Sequence, residues 1–182
     1  MKTHHRFCCL TAAVLAVAAV SLPAGALPLM AGDRAPLVAG RDQDGHKWEL
    51  KKEFGKRIVL LYFYPKDDTR GCTAEACGLR DKMFDFKQDG VTVVGVSRDS
   101  AESHKKFIFK YDLNFPLIAD TSGAISQAYR AQMDDPVTMD RRISFLIGRD
   151  GKIVHITDSP DPAVHLREMQ AAIARLQEKN PL

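Results

Sequence analysis

Apolar and polar residues follow two different patterns along this chain. Three uninterrupted apolar runs are rich in β-branched and aromatic residues, which is typical of strands covered on both faces. The runs are IVLLYFY (58–64), VTVVGVS (91–97) and ISFLIG (143–148). Residues 149–151, Arg-Asp-Gly, then predict a hairpin turn into KIVHIT (152–157).

Elsewhere, apolar residues recur every three or four positions, which predicts helices. The first helix would begin near Cys72 and stop at residues 89–90, Asp-Gly. Asp99, with Glu102 three residues later, resembles a capping box at the start of the second helix. Residues 161–162, Asp-Pro, suit the start of the third. The apolar positions are Ala76, Leu79, Met83 and Phe86 in the first helix, Phe107, Ile108 and Tyr111 in the second, and Leu166, Met169, Ile173 and Leu176 in the third.

The predicted order of elements is β-α-β-α, followed by a hairpin and a last helix. A parallel pair of strands extended by an antiparallel hairpin, with helices on both faces, is an α/β arrangement. Residues 130–142 carry no regular pattern and predict an irregular loop that leads to Arg142. The periodicity therefore predicts a single α/β domain with a mixed central sheet.

The first 26 residues have the three-part pattern of a secretory signal. Lys2 and Arg6 form a basic start, and residues 10–22 are apolar but shorter than the about 20 residues that a membrane span needs. Residues 24–26, Ala-Gly-Ala, have the small-x-small form that signal peptidase recognises. We therefore expect cleavage after residue 26, which leaves residues 27–182 as one domain. A retained membrane anchor is the alternative interpretation.

Removal of this segment changes both the charge and the cysteine content. The full chain has 182 residues, with 26 Lys and Arg against 23 Asp and Glu. Without residues 1–26 the balance is 24 against 23, a formal charge of +1, which provides no electrostatic footprint for nucleic acid or for an anionic membrane. Cys8 and Cys9 leave with the signal. The mature chain would then hold only Cys72 and Cys77, in an oxidising compartment.

Cys72 lies in the stretch PKDDTRGCTAEAC (65–77), which joins a buried strand to a predicted helix. In α/β sheets ligands bind at the carboxyl ends of the strands. The free amides and the dipole at a helix start also favour an anion, so the thiol is expected to be drawn toward the nucleophilic thiolate. Thr69 offers a hydroxyl that could donate to the sulfur or to a bound oxygen, and Pro65 would shield one side of the pocket.

Arg142 opens the third predicted strand. Because central strands of one sheet begin and end close together, its guanidinium is expected to reach the sulfur of Cys72. Glu75, one turn after Cys72, could hold that guanidinium in a charge-assisted pair. The alternatives are a solvent-exposed Arg142 and a solvated Glu75 in the first helical turn.

The spacing of the two cysteines restricts how they can react with each other. On an ideal helix, residues five apart differ by about 7.5 Å of rise and about 140° of rotation, which leaves their Cα atoms roughly 8–9 Å apart. A disulfide needs less than about 7 Å. Cys72 and Cys77 therefore cannot be bonded while both are helical. The spacing predicts a conditional disulfide, formed after the first turns of the helix unwind.

Three other uses of these thiols fit the residues less well. A zinc site usually has four ligands, and no histidine occurs at a matching spacing. A thioredoxin-type exchanger has two residues between its cysteines, whereas four separate Cys72 from Cys77. Inert buried thiols are a common alternative. The position of Cys72 at a helix start argues against that alternative.

Two stretches resemble a known family. PKDDTRGC (65–72) fits the Pro-x-x-x-Thr-x-x-Cys signature of peroxiredoxins, and YFYPKDDTRGCTAEACGLRD (62–81) is similar to the bacterioferritin comigratory protein, or peroxiredoxin Q, subfamily. RRISFLIGRDGKIVH (141–155) resembles that subfamily's stretch with the active-site arginine. The likeness covers residues from about 30 to 178. Arg70 stands where the subfamily usually has proline, which adds a cation beside Cys72.

The resemblance implies a thioredoxin-like fold, with a central mixed sheet and helices on both faces, and a thiol peroxidase activity. It makes Cys72 the peroxidatic and Cys77 the resolving cysteine, with Pro65, Thr69 and Arg142 around the peroxide. The implied substrates are hydrogen peroxide and organic hydroperoxides, and the implied reductant is a thioredoxin-like dithiol. No metal, flavin or haem is expected. We expect an exported monomer, periplasmic or beyond.

Two other functions would use the same thiols. One is an exported disulfide oxidoreductase on the same fold, which the four-residue gap and Thr69 argue against. The other is a copper-binding protein in which His155 or His165 completes the ligand set. Copper carriers of this fold typically have three residues between the thiols. Each histidine is instead expected on the surface of its strand or helix.

Overall fold

The computed structural model describes residues 28–133 and 139–179. The predicted signal (1–26) and its cleavage point lie outside the described residues, as does part of the predicted loop 130–142. The strands are β1 (Ala39–Arg41), β2 (Lys47–Glu49), β3 (Ile58–Phe63), β4 (Val91–Ser97), β5 (Leu117–Ala119), β6 (Ile143–Ile147) and β7 (Ile153–Asp158). The α-helices are α1 (Arg70–Asp81), α2 (Met83–Gln88), α3 (Ala101–Tyr111), α4 (Ala124–Tyr129) and α5 (Pro162–Lys179), and a short 3₁₀ helix covers Leu50–Lys52.

Five strands form the central sheet, in the order β5-β4-β3-β6-β7. β3 and β5 run parallel to β4, whereas β6 is antiparallel to β3 and β7 is antiparallel to β6. The predicted turn joins β6 to β7, and its Gly151 has a φ of +77°, a conformation that glycine adopts without strain. The predicted mixed sheet, a parallel pair extended by an antiparallel hairpin, is confirmed.

Both faces of the sheet are covered, which explains the uninterrupted apolar runs. All six residues of β3 are buried, and they point alternately to two separate cores. Leu60 and Tyr62 belong to the core shared with α1, α2, α3 and α5. Leu61 and Phe63 belong to the core shared with α4 and the segment before β3. Cys72 lies in the first of these cores.

The first predicted helix is divided in the structure. Lys82, with φ −99° and ψ 4°, separates α1 from α2. All four predicted apolar positions remain buried, because the break occurs between Leu79 and Met83 and keeps both on the core side. The helical segment therefore ends at residue 88, as predicted, but it consists of two helices instead of one.

The N-cap of the second predicted helix lies one residue after the expected Asp99. Ser100 is the N-cap of α3, and its hydroxyl accepts a hydrogen bond of 3.2 Å from the backbone N–H of Ser103. The prediction of a capping box at Asp99 was wrong, because the Asp99 carboxylate accepts a hydrogen bond from the backbone N–H of Asp67 instead. At the third helix the prediction is confirmed, since Asp161 accepts from the N–H of Ala163 just inside α5.

The shortest elements left no pattern in the sequence. β1, β2 and β5 have three residues each, and α4 has six. A three-residue strand is too short for an alternation to show, and it exists because a neighbouring strand pairs with it. Within residues 28–133 and 139–179, no helix has the length and apolar character needed to cross a membrane.

Candidate active site

The sheet topology brings Arg142 to Cys72. In the antiparallel pair of β3 and β6, Phe63 lies opposite Ile143. The end of β3, which leads into the loop before α1, therefore lies beside the start of β6, which Arg142 immediately precedes. Cys72 is the third residue of α1 and is buried, with 1% of its surface exposed.

The Arg142 guanidinium bridges the thiol and a carboxyl group. Its Nη2 donates to Cys72 Sγ over 3.4 Å, its Nη1 donates to Glu75 Oε2, and its Nε donates to the carbonyl of Pro160 over 3.3 Å. The expected reach of Arg142 to the sulfur and its pairing with Glu75 are both confirmed. The alternatives were wrong, because the side chains of Arg142 and Glu75 are 8% and 1% exposed.

Burial and charge act against each other within this pair. Burial raises the pKa of Glu75 to about 7, and the adjacent Arg142 opposes that rise. Burial by itself would lower the pKa of Arg142, but Glu75 and Cys72 raise it above its ordinary value. Arg142 therefore remains a cation, and its charge lies between the sulfur and the carboxyl group.

His165 was missed as part of this site. It is buried, so the expectation of a surface histidine was wrong for it. Its Nε2 donates to the carbonyl of Ser159 over 2.8 Å, its Nδ1 lies 2.8 Å from Ser144 Oγ, and the same nitrogen lies 3.7 Å from Glu75 Oε1. Burial lowers the pKa of His165, which favours the neutral ring. The sequence signal for this burial was the position of His165 four residues before Met169, which places it on the apolar face of α5.

His155 differs from His165. It lies in β7, partly exposed, with Nε2 3.4 Å from Glu168 Oε2. Its expected surface position is confirmed. Neither histidine contacts a cysteine among the described residues. The cluster of possible metal ligands found there consists of Asp42, Asp44 and His46 on the exposed turn between β1 and β2, and it includes neither thiol.

The loop before α1 holds the remaining predicted residues. Pro65 is half-buried at its start. Thr69 is the N-cap residue of α1, but its hydroxyl donates to the carbonyl of Lys66 over 3.1 Å, so the expected donation to the sulfur is not made. Arg70 is exposed at the first helical position.

Cys77 shares α1 with Cys72. It is half-buried, and both thiols are free. The helix is continuous from Arg70 to Asp81, so the predicted incompatibility between an intact helix and a disulfide applies here. The arrangement places the Cys72 thiol against the Arg142 guanidinium, and a second free thiol, that of Cys77, lies five residues further along the same helix.

Comparison with known proteins identifies the family. The profile of the AhpC/TSA family matches residues 31–156. The chain belongs to the AhpC/TSA family. Peroxiredoxin Bcp of Escherichia coli is 44% identical over 136 residues, which cover 72% of this chain and 86% of that protein.

Solved structures agree with this family. Peroxidoxin BcpB of Mycobacterium tuberculosis has a TM-score of 0.76 at 26% identity, over 81% of this chain and 97% of that one. Peroxiredoxin Q of Xanthomonas campestris has a TM-score of 0.71 at 29% identity, over 76% and 90%. The thioredoxin-like fold is confirmed. As a member of the AhpC/TSA family related to Bcp and peroxiredoxin Q, the chain is a thiol peroxidase, an oxidoreductase that reduces peroxide with thiols.

Proposed function

We propose that Cys72 is the peroxidatic cysteine and that Cys77 resolves it through an intramolecular disulfide. The observation that carries this proposal is the guanidinium of Arg142, 3.4 Å from the buried sulfur of Cys72. An N–H of a buried cation aimed at sulfur stabilises negative charge there, and it is also placed to donate to an oxygen bound beside the sulfur.

In the first step, the Cys72 thiolate attacks the terminal oxygen of a peroxide. An S–O bond forms, the O–O bond breaks, and the departing oxygen takes up a proton and leaves as water or an alcohol. Cys72 loses two electrons and becomes a sulfenic acid. Arg142 stabilises the charge that develops on the departing oxygen. Thr69 and Pro65 complete the pocket, with Thr69 turning its hydroxyl from Lys66 to the bound oxygen.

In the second step, Cys77 attacks the sulfenic sulfur, an S–S bond forms, and the hydroxyl of the sulfenic acid leaves as water. The Cα atoms must approach by roughly 2 Å for this bond, so the first turns of α1 unwind. A thioredoxin-like dithiol then reduces the disulfide by thiol exchange. The substrates are hydrogen peroxide and organic hydroperoxides.

The test is peroxide-dependent oxidation of thioredoxin by the purified protein, measured with hydrogen peroxide and with two organic hydroperoxides. Cys72→Ser should abolish turnover. Cys77→Ser should still consume one equivalent of peroxide, form no Cys72–Cys77 disulfide, and proceed to sulfinic acid in excess peroxide. Equal turnover of the wild type and Cys77→Ser would refute the resolving role of Cys77.

We also propose that the protein is exported. The support is the basic, apolar and small-residue pattern of residues 1–26, and the mature chain would begin at Leu27. Amino-terminal sequencing of the protein from a cell-envelope fraction should give Leu27 or a residue close to it. An intact Met1 on protein recovered from the cytoplasm would overturn this proposal.

A further inference from the structure

Helix α3 binds the chain just before the reactive helix. The buried Asp67 carboxylate accepts from Tyr64 Oη over 2.7 Å, from Ser103 Oγ over 2.7 Å and from His104 Nδ1 over 2.9 Å. The backbone N–H of Asp67 donates to Asp99 Oδ2 over 2.9 Å. Residue 67 is thus fixed by both its side chain and its backbone, and its partner His104 is completely buried.

The next residue binds the same helix on the outside. The Asp68 carboxylate accepts from Lys110 Nζ over 2.7 Å and from Tyr111 Oη over 2.5 Å. Its φ of +57° is unusual for a residue other than glycine, and aspartate is among the residues that tolerate it. We call the contacts of Asp67 and Asp68 with α3, together with the hydrogen bond from the Asp67 backbone to Asp99 just before α3, the front clamp.

The far end of α1 is also fastened to α3. Arg80 Nη1 donates to the carbonyl of Tyr111 over 2.6 Å, and Asn114 Nδ2 donates to the carbonyl of Arg80 over 3.4 Å. We call these contacts the rear clamp. Tyr111 takes part in both clamps, through its hydroxyl at the front and its carbonyl at the rear.

Between the clamps, the helix begins weakly. The Thr69 side chain makes no capping hydrogen bond to α1, and the first turn has no acidic residue to complement the helix dipole. Gly71, at the second helical position, lowers the helix propensity further. Both cysteines lie in this weak segment, between Asp68 and Arg80.

We infer that the two clamps confine the redox-driven unwinding to residues 69–79 and hold its two ends on α3 while the disulfide forms. This inference rests on the proposed Cys72–Cys77 disulfide. Cys72 is four residues from Asp68 and Cys77 three from Arg80, so even a fully extended chain keeps each within about 14 Å of its clamp. The clamps thereby hold the thiols near each other and prevent unwinding from spreading into β3 or α2.

Two backbone amides report on the two regions separately. The Asp67 N–H is bonded to Asp99 in the front clamp, whereas the Thr73 N–H is bonded to the carbonyl of Thr69 in the first turn of α1. We would form the disulfide in the full mature chain with diamide, confirm it by mass, and measure amide exchange by NMR in both redox states. Leu60, fully buried in β3, serves as the reference for global unfolding.

In the wild type, oxidation should accelerate exchange at Thr73 by at least about a hundredfold and at Asp67 by less than about threefold. Asp67→Asn replaces one acceptor oxygen by a donor, so the Asp67 position should then exchange at least about tenfold faster in the oxidised form, with Leu60 unchanged. Glu102→Gln is the matched control, because Glu102 lies on α3 but pairs only with the exposed Lys106. If Asp67→Asn fails to fold, Asp68→Asn tests the outer contacts of the clamp.

Equal acceleration at Asp67 and Thr73 in the oxidised wild type would show that the clamp opens with the helix, and would overturn the inference. So would an oxidised Asp67→Asn that keeps the wild-type exchange rates. Failure of diamide to form the disulfide would mean that nothing unwinds, and would overturn it as well. If diamide forms the disulfide but peroxide does not, the proposed function fails while the exchange rates still decide the inference.

Discussion

Two buried carboxyl groups in this protein differ in what binds them. Glu75 accepts from Arg142 through Oε2, and Asp140 is bonded to Ser126 Oγ through Oδ2 over 2.6 Å. In each, the second oxygen accepts no hydrogen bond from a described residue. Burial raises the pKa of both, Glu75 to about 7 and Asp140 to about 6. The difference lies in the partner, which is a cation for Glu75 and a hydroxyl for Asp140.

The Ser126 hydroxyl has one proton to donate but lies within hydrogen-bond distance of two carboxyl groups. Ser126 Oγ lies 2.8 Å from Asp120 Oδ2 as well as 2.6 Å from Asp140, and the Ser126 backbone N–H also donates to Asp120. At any one moment this single proton is donated to only one of the two carboxyl groups, so Asp140 shares its donor with Asp120. Burial is the main cause of the raised pKa of Asp140; the hydrogen bond from Ser126 lowers that pKa, Asp120 raises it, and Arg98 lowers it more weakly.

The comparison shows two ways in which a buried carboxyl group is held in the fold. A guanidinium in direct contact lets Glu75 serve as a counter-ion that holds Arg142 on the sulfur. Asp140 instead shares a hydroxyl donor with a second carboxyl group, and its raised pKa makes it a source of pH-dependent stability. Both sites can be changed by single substitutions that test this difference.

The largest effect is expected from Arg142→Ala, which removes the cation from Glu75. Oxidation of Cys72 by peroxide should slow at least about a hundredfold, the scale for losing one positioned electrostatic donor. Stopped-flow measurement of single-turnover oxidation gives the rate. Arg141→Ala is the matched control, because the adjacent Arg141 pairs with the partly exposed Asp158 and should leave the rate unchanged. A near-normal rate in Arg142→Ala would remove Arg142 from the reaction.

The same variant should raise the pKa of Glu75 further, because the charge and the hydrogen bond of Arg142 lower it. Since Arg142 is buried, its removal should lower the free energy of unfolding by about 3 kcal/mol at pH 7. The loss should be smaller at pH 5, because Glu75, whose pKa is about 7 even beside Arg142, is protonated in both proteins there and leaves no unpaired charge in the variant. Urea unfolding at both pH values measures this, and a pH-independent loss would contradict it.

A smaller effect is expected from Glu75→Gln, which removes the charge but keeps the shape. The free energy of unfolding should fall by about 2 kcal/mol at pH 7, the difference made by a hydrogen bond to a charged group. Glu49→Gln, which removes a partly exposed carboxylate paired with the exposed Lys47 and Lys52, should change stability little. If Glu75→Gln and Glu49→Gln have the same free energy of unfolding, the ion pair of Glu75 with Arg142 does not stabilise the protein in solution.

The smallest effect, and one of opposite sign, is expected from Asp140→Asn. A folded pKa of about 6 lies above the ordinary 3.8, so the protonated Asp140 stabilises the fold at low pH and this contribution is lost as the pH rises through 6. Asparagine donates to Ser126 without titrating. Between pH 5 and pH 8 the variant should gain about 1 kcal/mol relative to the wild type. Parallel pH profiles would show that Asp140 carries no proton.

Much of the site could be predicted because it depends on local patterns. The apolar run 58–64 and the polar stretch after it placed Cys72 at the start of a helix at the end of a buried strand. The start of the run at 143 placed Arg142 at the adjacent strand. Strand length, alternation and helix starts are properties of neighbouring residues, so they can be inferred without the fold.

The partners of buried polar groups could not be predicted in the same way. His165 lies on the apolar face of α5, and only the packing of α5 on β6 shows that its Nδ1 meets the hydroxyl of Ser144 there. Asp99 and Ser100 are equally suitable caps in the sequence, and the loop at Asp67 decides between them by taking Asp99. Thr69 likewise donates to Lys66 because of how the loop turns.

The sequence by itself determined which segments form the central strands and the longer helices, which two thiols are the candidates for the reaction, and why they cannot be bonded within an intact helix. The tertiary structure alone decided the short strands β1, β2 and β5, the break at Lys82 and the two clamps on α3. Hydrophobic period and helix geometry are set by residues a few positions apart. Hydrogen bonds between buried groups can join residues far apart in the chain, such as Asp67 with His104, 37 positions apart, and Cys72 with Arg142, 70 positions apart, so they depend on how the elements pack.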